Sequence, residues 1–360
     1  MLESLNAAEH EQVVFCRDDR AGLRAIIAIH STILGPAVGG TRMRPYPTLE
    51  DALNDVLRLS KAMTYKCAAA GLSFGGGKAV IVGDPKRDKT ETVMRSFGRF
   101  VEILGGRFVT GEDVGMTEDD MLAIRRETRW VVGLPPAYGG GGTTAGATAR
   151  GMMAGIRAAA SVALGTESLK GLGFAIQGVG QVGASLASQL AAEGATVYAA
   201  DVDRAAVDAV CARTGAKPVD PQRIHAVEAE FFCPCALGNV INDATIPELK
   251  CKVIAGCANN QLEDEERHSA MLKSRGIVYV VDYVVNAGGV ISGVNELSGY
   301  NLDRVNHQVD RIYDSVARIL KTAGLQGITT VEAARRLVRE RLDEERRVSG
   351  IQIGFRPHLR

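Results

Sequence analysis

Residues 174–201 leave the fewest choices of fold. Phe174-Ala175-Ile176-Gln177 reads as a short buried strand, and it enters Gly178-Val179-Gly180-Gln181-Val182-Gly183. A helical stretch follows to about Ala192, then a second strand over 196–200, then Asp201. Gly-x-Gly-x-x-Gly alone is a weak signal. Strand, glycine turn, helix, strand and acidic residue in that order make a dinucleotide-binding fingerprint. Gly178 permits the turn. Gly180 lets a pyrophosphate approach backbone N–H groups at the helix N-terminus, and Gly183 lets the helix pack closely on the sheet. Val179, Gln181 and Val182 complete the turn. Asp201, eighteen residues past Gly183, is placed for the adenosine ribose hydroxyls. Its charge repels a 2′-phosphate, so NAD is favoured over NADP.

The rest of the chain has room for a second core, because 360 residues suffice for two domains. High glycine (41 residues) with 5% aromatics suits an α/β protein with tight connections. Lys plus Arg equals Asp plus Glu, at 42 each, which argues against a nucleic-acid or anionic-membrane binder. No N-terminal apolar leader and no bilayer-length apolar run is visible, so a cytoplasmic location is expected. Seven cysteines are scattered. Cys233-Pro234-Cys235 lacks the two-residue spacer of zinc and redox pairs, and nothing nearby completes a metal site. Buried free thiols and no bound metal are expected.

The N-terminal half carries the candidate chemistry. Residues 11–30 read as a hairpin turning at 18–22, with His30 in a structural role. Thr48 opens a helix with a capping box that uses Asp51. Leu53, Val56, Leu57 and Ser60 give it one buried stripe. That helix delivers the chain to Lys66. Gly75-Gly76-Gly77-Lys78 then reads as a glycine turn before a strand over 79–82. A lysine held there and desolvated has a lowered pKa and works as a base. A second cation, Lys66, in the same cleft lowers it further and attracts an anion such as a small carboxylate. Asp113 follows a short strand at 107–110 and precedes a helix capped by Thr117, where α/β sites usually lie. It reads equally well as a proton relay or a surface-turn residue. Residues 133–144 are the candidate hinge.

Beyond the fingerprint, strands are expected at 231–236, 253–260 and 277–281. A long helix is expected over 301–323, a final helix after Thr329, and a loose tail after Ser349. Polar residues at the strand ends, among them Asn259, Asn260 and Asn286, either face a nicotinamide or cap turns.

Several ordered segments carry a resemblance: Gly39-Gly40-Thr41-Arg42-Met43, Met63-Thr64-Tyr65-Lys66, Gly75-Gly76-Gly77-Lys78, Glu112-Asp113-Val114-Gly115, Pro234-Cys235-Ala236-Leu237-Gly238, Ala258-Asn259-Asn260-Gln261-Leu262 and Asn286-Ala287-Gly288-Gly289. Together they resemble the Glu/Leu/Phe/Val dehydrogenase family, and within it the leucine dehydrogenases most. The resemblance implies that Lys78 activates water, Asp113 transfers protons and Lys66 binds the substrate carboxylate. It implies that Gly39, Gly40 and Asn260 border the substrate, and that Thr148 and Asn286 serve the cofactor. Side-chain selectivity is assigned by the same resemblance to Val38, Gly111, Val290 and Gly293. Gly111 stands where leucine dehydrogenases often have Ala, and Gly293 where they often have Val, so the pocket is roomier. The stiff Pro-Ser-Pro run common in the family is replaced here by Thr144-Ala145-Gly146.

The expectation is a two-domain α/β oxidoreductase with a cleft between the domains. Residues 1–135, completed by 329–360, form a substrate and oligomerisation domain, and 136–328 form the Rossmann NAD domain. Its reaction is NAD-dependent, reversible oxidative deamination of an apolar, branched-chain L-amino acid to its 2-oxo acid and ammonia, in a homo-oligomer. Aromatic substrates, phenylalanine or tryptophan, are the alternative. A non-catalytic NAD-binding regulator is a rival of another class, and a 2-hydroxy-acid dehydrogenase lacks a convincing histidine among the six present.

Overall fold

The computed structural model describes residues 9–348, which gather into two compact units. Unit 1 takes the chain up to residue 143, then 292–302 and residues from 338 onward. Unit 2 takes 144–291 and 303–337. The tail after Ser349 lies outside the described residues.

Unit 1 opens with the hairpin. β1 (Gln12–Asp18) runs antiparallel to β2 (Leu23–Ser31), with Gln12 opposite Ile29 and Asp18 opposite Leu23. Then come β3 (Ala37–Val38), β4 (Thr41–Arg44), α1 (Leu49–Ala69), β5 (Gly75–Val82), α2 (Glu91–Ile103), β6 (Phe108–Val109) and α3 (Glu118–Arg125). The sheet order is β1-β2-β5-β3-β6, with β4 also pairing β5. β5 is antiparallel to β2 and parallel to β3 and β4.

α1 begins at the expected box: Thr48 accepts from the Asp51 N–H, and Asp51 accepts from the Thr48 N–H. Ala52, Leu53, Val56 and Leu57 pack on Ile26, Ala28 and Val80 of the sheet. Each buried Leu, Val or Ile side chain among them contributes about 1.5–3 kcal/mol. α1 runs on through Lys66 in its last turn.

Residues 75–78 depart from expectation. They are the first half of β5, in the middle of the sheet, and no turn is made there. A Cβ on Gly75 would lie 1.9 Å from the Ser31 carbonyl oxygen, on Gly76 2.1 Å from the Thr64 nitrogen, and on Gly77 2.7 Å from the Phe108 ring. These glycines serve close approach of backbone and helix rather than a bend.

Unit 2 holds α4 (Ala145–Leu164), β7 (Gly173–Gln177), α5 (Gln181–Ala192), β8 (Thr196–Ala200), α6 (Arg204–Thr214) and β9 (Lys217–Pro218). β10 (Phe231–Pro234), β11 (Val253–Ile254), α7 (Glu265–Ser274), β12 (Val278–Tyr279) and α8 (Asp282–Val285) follow. α9 (Gly288–Asn295), α10 (Leu302–Asp310), α11 (Ile312–Gln326) and α12 (Thr330–Val348) come next, with α9 passing into unit 1 at Ser292 and α12 at Val338. The strand order is β12-β11-β10-β7-β8-β9, parallel throughout. Chain direction across the sheet therefore reverses between β7 and β10. Ligands of open α/β sheets bind at that switch point, beyond the strand C-termini. Phe174 of β7 stacks on Phe231 of β10 with centroids 4.6 Å apart, which ties the two halves together in the core. The strand expected over 253–260 is only β11, and the helix expected over 301–323 is broken at Arg311 into α10 and α11.

Candidate active site

In unit 1 the edge of β5 facing β3 and β4 is interrupted. β3 pairs it at Gly75 and Gly76, and β4 pairs it from Ala79 to Val82. Gly39 and Gly40 fill the interval beside Gly77 and Lys78. A Cβ on Gly39 would lie 1.8 Å from the Gly77 carbonyl oxygen. On Gly40 it would lie 2.2 Å from the Glu112 carbonyl oxygen and 3.0 Å from the Asp113 Cβ. Any side chain at Gly40 would collide with the Glu112 backbone, directly before Asp113.

The Lys78 Nζ lies 2.7 Å from Asp113 Oδ2, with only 9% of the lysine side chain exposed. Burial pulls the Lys78 ammonium below its ordinary pKa, the Asp113 carboxylate opposes this, and Arg42 adds to it. Burial also pulls Asp113 upward, but Lys78 and Arg42 outweigh it and hold the carboxyl below its usual range. Arg42 Nε donates to Asp113 Oδ2 at 3.1 Å, and its Nη1 donates to Asp55 Oδ2 at 3.0 Å. Asp55 is held in turn by the Tyr46 hydroxyl at 2.8 Å and Arg58 at 2.9 Å. A continuous chain of ionised groups thus runs from β5 across β4 to α1. A lysine whose ammonium is destabilised by burial gives up its proton more readily than a solvated one and can act as a base.

Lys66 is half-buried, two residues beyond Thr64, whose backbone is pressed on Gly76. Arg341 of α12 fixes the helix end that carries Lys66. It donates to the carbonyl oxygens of Ala68 at 2.6 Å and Leu72 at 2.7 Å. Cations at a helix C-terminus satisfy its orphan carbonyls.

Val38 is buried in β3. Gly111 and Gly293 face one side chain, Val132. A Cβ on Gly111 would be 3.1 Å from Val132 Cγ2, and on Gly293 3.5 Å. Glu296 then ties residues 292–302 to the segment after Val132. Its carboxylate accepts from Gly133 N at 2.9 Å, Leu134 N at 3.2 Å and Gly141 N at 3.0 Å.

In unit 2 the glycine turn sits at the switch point. Gly178 has φ +97°, and a Cβ there would strike Ala236, which follows β10. A Cβ on Gly183 would lie 2.0 Å from the Gly178 carbonyl oxygen, whereas one on Gly180 would meet nothing within 4 Å. The turn is therefore packed on one side and open on the other, at the N-terminus of α5. Asp201 Oδ2 accepts from Val179 N at 2.8 Å. Gln181 is exposed and Val182 half-buried at the start of α5.

Residues 10–130 match the family profile described as Glu/Leu/Phe/Val dehydrogenase, dimerisation domain, and residues 200–350 match Glutamate/Leucine/Phenylalanine/Valine dehydrogenase. The chain belongs to the Glu/Leu/Phe/Val dehydrogenase family. It is 50% identical over 342 residues to leucine dehydrogenase of Bacillus cereus, covering 95% of this chain and 93% of that protein. It is also 50% identical over 340 residues to phenylalanine dehydrogenase of Bacillus thermotolerans, covering 93% and 89%. The crystal structure of L-tryptophan dehydrogenase from Nostoc punctiforme matches with a TM-score of 0.87 at 44% identity, over 96% of this chain and 100% of that one. This Glu/Leu/Phe/Val dehydrogenase is an amino-acid dehydrogenase on a two-domain α/β fold.

The residues of unit 2 in this dehydrogenase fit a dinucleotide. The Gly180 side of the turn is open for phosphate. Thr148, in the first turns of α4, would lie 3.2 Å through its Oγ1 from a Cβ on Gly289, three residues past Asn286. Asn286 Nδ2 donates to the Cys257 carbonyl oxygen at 3.0 Å and to Asn259 Oδ1 at 2.8 Å. Its own Oδ1 is buried without a partner, a place for a donor from a ligand amide. Asn260 lies in unit 2, exposed, with φ +52°. Val290 is also in unit 2, two residues before the chain returns to unit 1.

The sequence alone does not single out Arg42, Val132 or Glu296. Arg42 lies within the segment 39–43, and a charged residue between Thr41 and Met43 is the signal that marks it. Val132 and Glu296 had no local signal.

Proposed function

We propose that this dehydrogenase carries out the NAD-dependent, reversible oxidative deamination of an apolar L-amino acid, with branched-chain substrates leading. The observation that carries the reading is the buried Lys78 Nζ on Asp113 Oδ2 at 2.7 Å. Lys66 holds the substrate carboxylate, bordered by Gly39 and Gly40. Residues 178–183, Asp201, Thr148 and Asn286 would hold NAD, which would supply the acceptor for the α-hydride. Lys78, as the neutral amine, takes a proton from the water that attacks the resulting iminium carbon. The tetrahedral carbinolamine then sheds ammonia, with Asp113 and Lys78 passing the proton that its nitrogen needs. Asp113 stays charged throughout the resting state, which keeps one proton-accepting oxygen beside the lysine. The enzyme works as a cytoplasmic homo-oligomer.

Aromatic substrates are the second reading. Gly111 and Gly293 leave Val132 as the side chain between them, and two of the similar proteins are named for phenylalanine and tryptophan. The test is NADH oxidation at high ammonium with 4-methyl-2-oxopentanoate, 3-methyl-2-oxobutanoate, phenylpyruvate and indolepyruvate. Faster ammonium-dependent turnover of the branched acids supports the leading reading, and preference for the aromatic acids replaces it with the second. In Lys78→Ala, kcat falls by about 10²–10⁴ with NADH binding retained; unchanged kcat removes the lysine from the mechanism.

A further inference from the structure

The dehydrogenase reading leaves the cysteines unused. Four of the seven are buried; Cys211, Cys235 and Cys257 are half-buried. Cys235 follows β10 and Cys257 follows β11, on neighbouring parallel strands. The two segments remain joined beyond the strands, with Ala258 N donating to the Pro234 carbonyl oxygen at 3.0 Å. Cys257 Sγ lies 3.9 Å from the Cys235 carbonyl oxygen, and the two thiols are within hydrogen-bonding reach of each other. Neighbouring strands run about 4.8 Å apart, inside the roughly 4.4–6.8 Å Cα separation that a disulfide spans. Both residues sit beside the switch point. The Cys235 Cβ is 3.4 Å from the position of a Cβ on Gly183, and the Cys257 carbonyl accepts from Asn286.

We infer that Cys235 and Cys257 form a peroxide-oxidisable dithiol, and that closing the disulfide weakens dinucleotide binding by this chain. The second clause rests on the cofactor site proposed above.

The chemistry of the pair favours Cys235 as the attacking thiol. Hydrogen bonding from Cys257 holds the Cys235 thiol below its ordinary pKa, while Cys257 is raised by the same contact and by burial. The Cys235 thiolate attacks a peroxide oxygen; the O–O bond breaks, leaving Cys235–SOH and hydroxide. The Cys257 sulfur then bonds to the Cys235 sulfur, and its proton departs with the sulfenic hydroxyl as water. Two thiols and one peroxide become one disulfide and two waters. A disulfide sets the two Cβ atoms about 3.8 Å apart. That draws the segment packed on Gly183 and the carbonyl that holds Asn286 toward each other.

The experiment treats the reduced full chain with one equivalent of hydrogen peroxide. Free thiols are counted, peptides are mapped without reduction, and NADH is titrated by fluorescence. The expected result is a thiol count falling from seven to five, a linked Cys235–Cys257 peptide, and an NADH Kd raised about tenfold or more, all reversed by dithiothreitol. Cys211→Ser behaves as the parent, and Cys257→Ser forms no linked peptide. Thiol loss without that peptide, or the same rise in Kd in peroxide-treated Cys257→Ser, overturns the inference. A linked peptide with unchanged NADH affinity overturns its second clause. Failure of the reduced protein to bind NADH counts against the cofactor reading instead, and the linked peptide still decides the dithiol.

Discussion

Arg42 and Lys78 reach the same oxygen of Asp113, from 3.1 Å and 2.7 Å respectively. The guanidinium thereby shares a charge that would otherwise bind the ammonium alone, and its own field disfavours a second cation. Lys78 also feels Asp55, beyond Arg42. Arg42→Leu leaves Lys78 the sole cation on Asp113 Oδ2 and raises its pKa. The acid limb of the kcat/KM profile for deamination then moves to higher pH, and each unit lowers the rate below that limb about tenfold. The pH–rate profile checks this; an unmoved limb would leave Arg42 with a packing role only.

The two ends of the glycine turn respond differently to a methyl group. Gly180→Ala meets open space at φ −63°, an ordinary angle for alanine. Its melting temperature stays at the parent value while its NADH Kd rises. Gly183→Ala drives its Cβ onto the Gly178 carbonyl oxygen, so it loses stability as well as binding. Thermal unfolding beside NADH titration separates the two, and equal Tm losses would contradict the assignment.

Glu296 holds three backbone N–H groups through one carboxylate. Glu296→Ala removes every acceptor and costs about 1–3 kcal/mol in urea unfolding. Glu296→Gln keeps one acceptor oxygen and loses less. Burial raises the Glu296 pKa despite those N–H groups. The folded protein therefore holds the proton more tightly than the unfolded chain. Stability from this group is complete below the unfolded value and is lost as pH rises through the folded one. Parent and Glu296→Gln should diverge over that window, and parallel curves would refute the sign.

His30, hydrogen-bonded to Thr64 Oγ1 at 2.8 Å, is pushed from 6.5 down to about 4 by burial, then by His10 and Lys61. The unfolded chain takes up this proton first. Stability is thus present above pH 6.5 and is lost as pH falls toward 4, by about 3 kcal/mol. His30→Gln flattens that acid slope in chemical denaturation; an unchanged slope would assign acid sensitivity elsewhere.

Val132 lies between Gly111 and Gly293. Val132→Ala enlarges the space they share and moves the ratio of kcat/KM toward phenylpyruvate over 4-methyl-2-oxopentanoate by about 10–200-fold. Gly111→Ala places a methyl 3.1 Å from Val132 and moves the ratio the other way. A ratio unmoved by either change would remove Val132 from the pocket.

Local patterns place the dinucleotide turn, the capped helix before Lys66 and the hairpin. Each depends on residues a few places apart, whose backbone geometry is set by their own neighbours. By itself the sequence determined an α/β chain with a Rossmann turn and a lysine-bearing second unit. Only the tertiary structure decided that Gly75, Gly76 and Gly77 lie inside a strand. A glycine allows both a bend and a close approach, and the Ser31, Thr64 and Phe108 atoms that demand the second come from distant segments. The same holds for Arg42 on Asp113, 71 residues on, and Glu296 on Gly133, 163 residues back. Charge and burial at those positions acquire meaning from partners that folding brings together, and no local spacing encodes which partner will arrive.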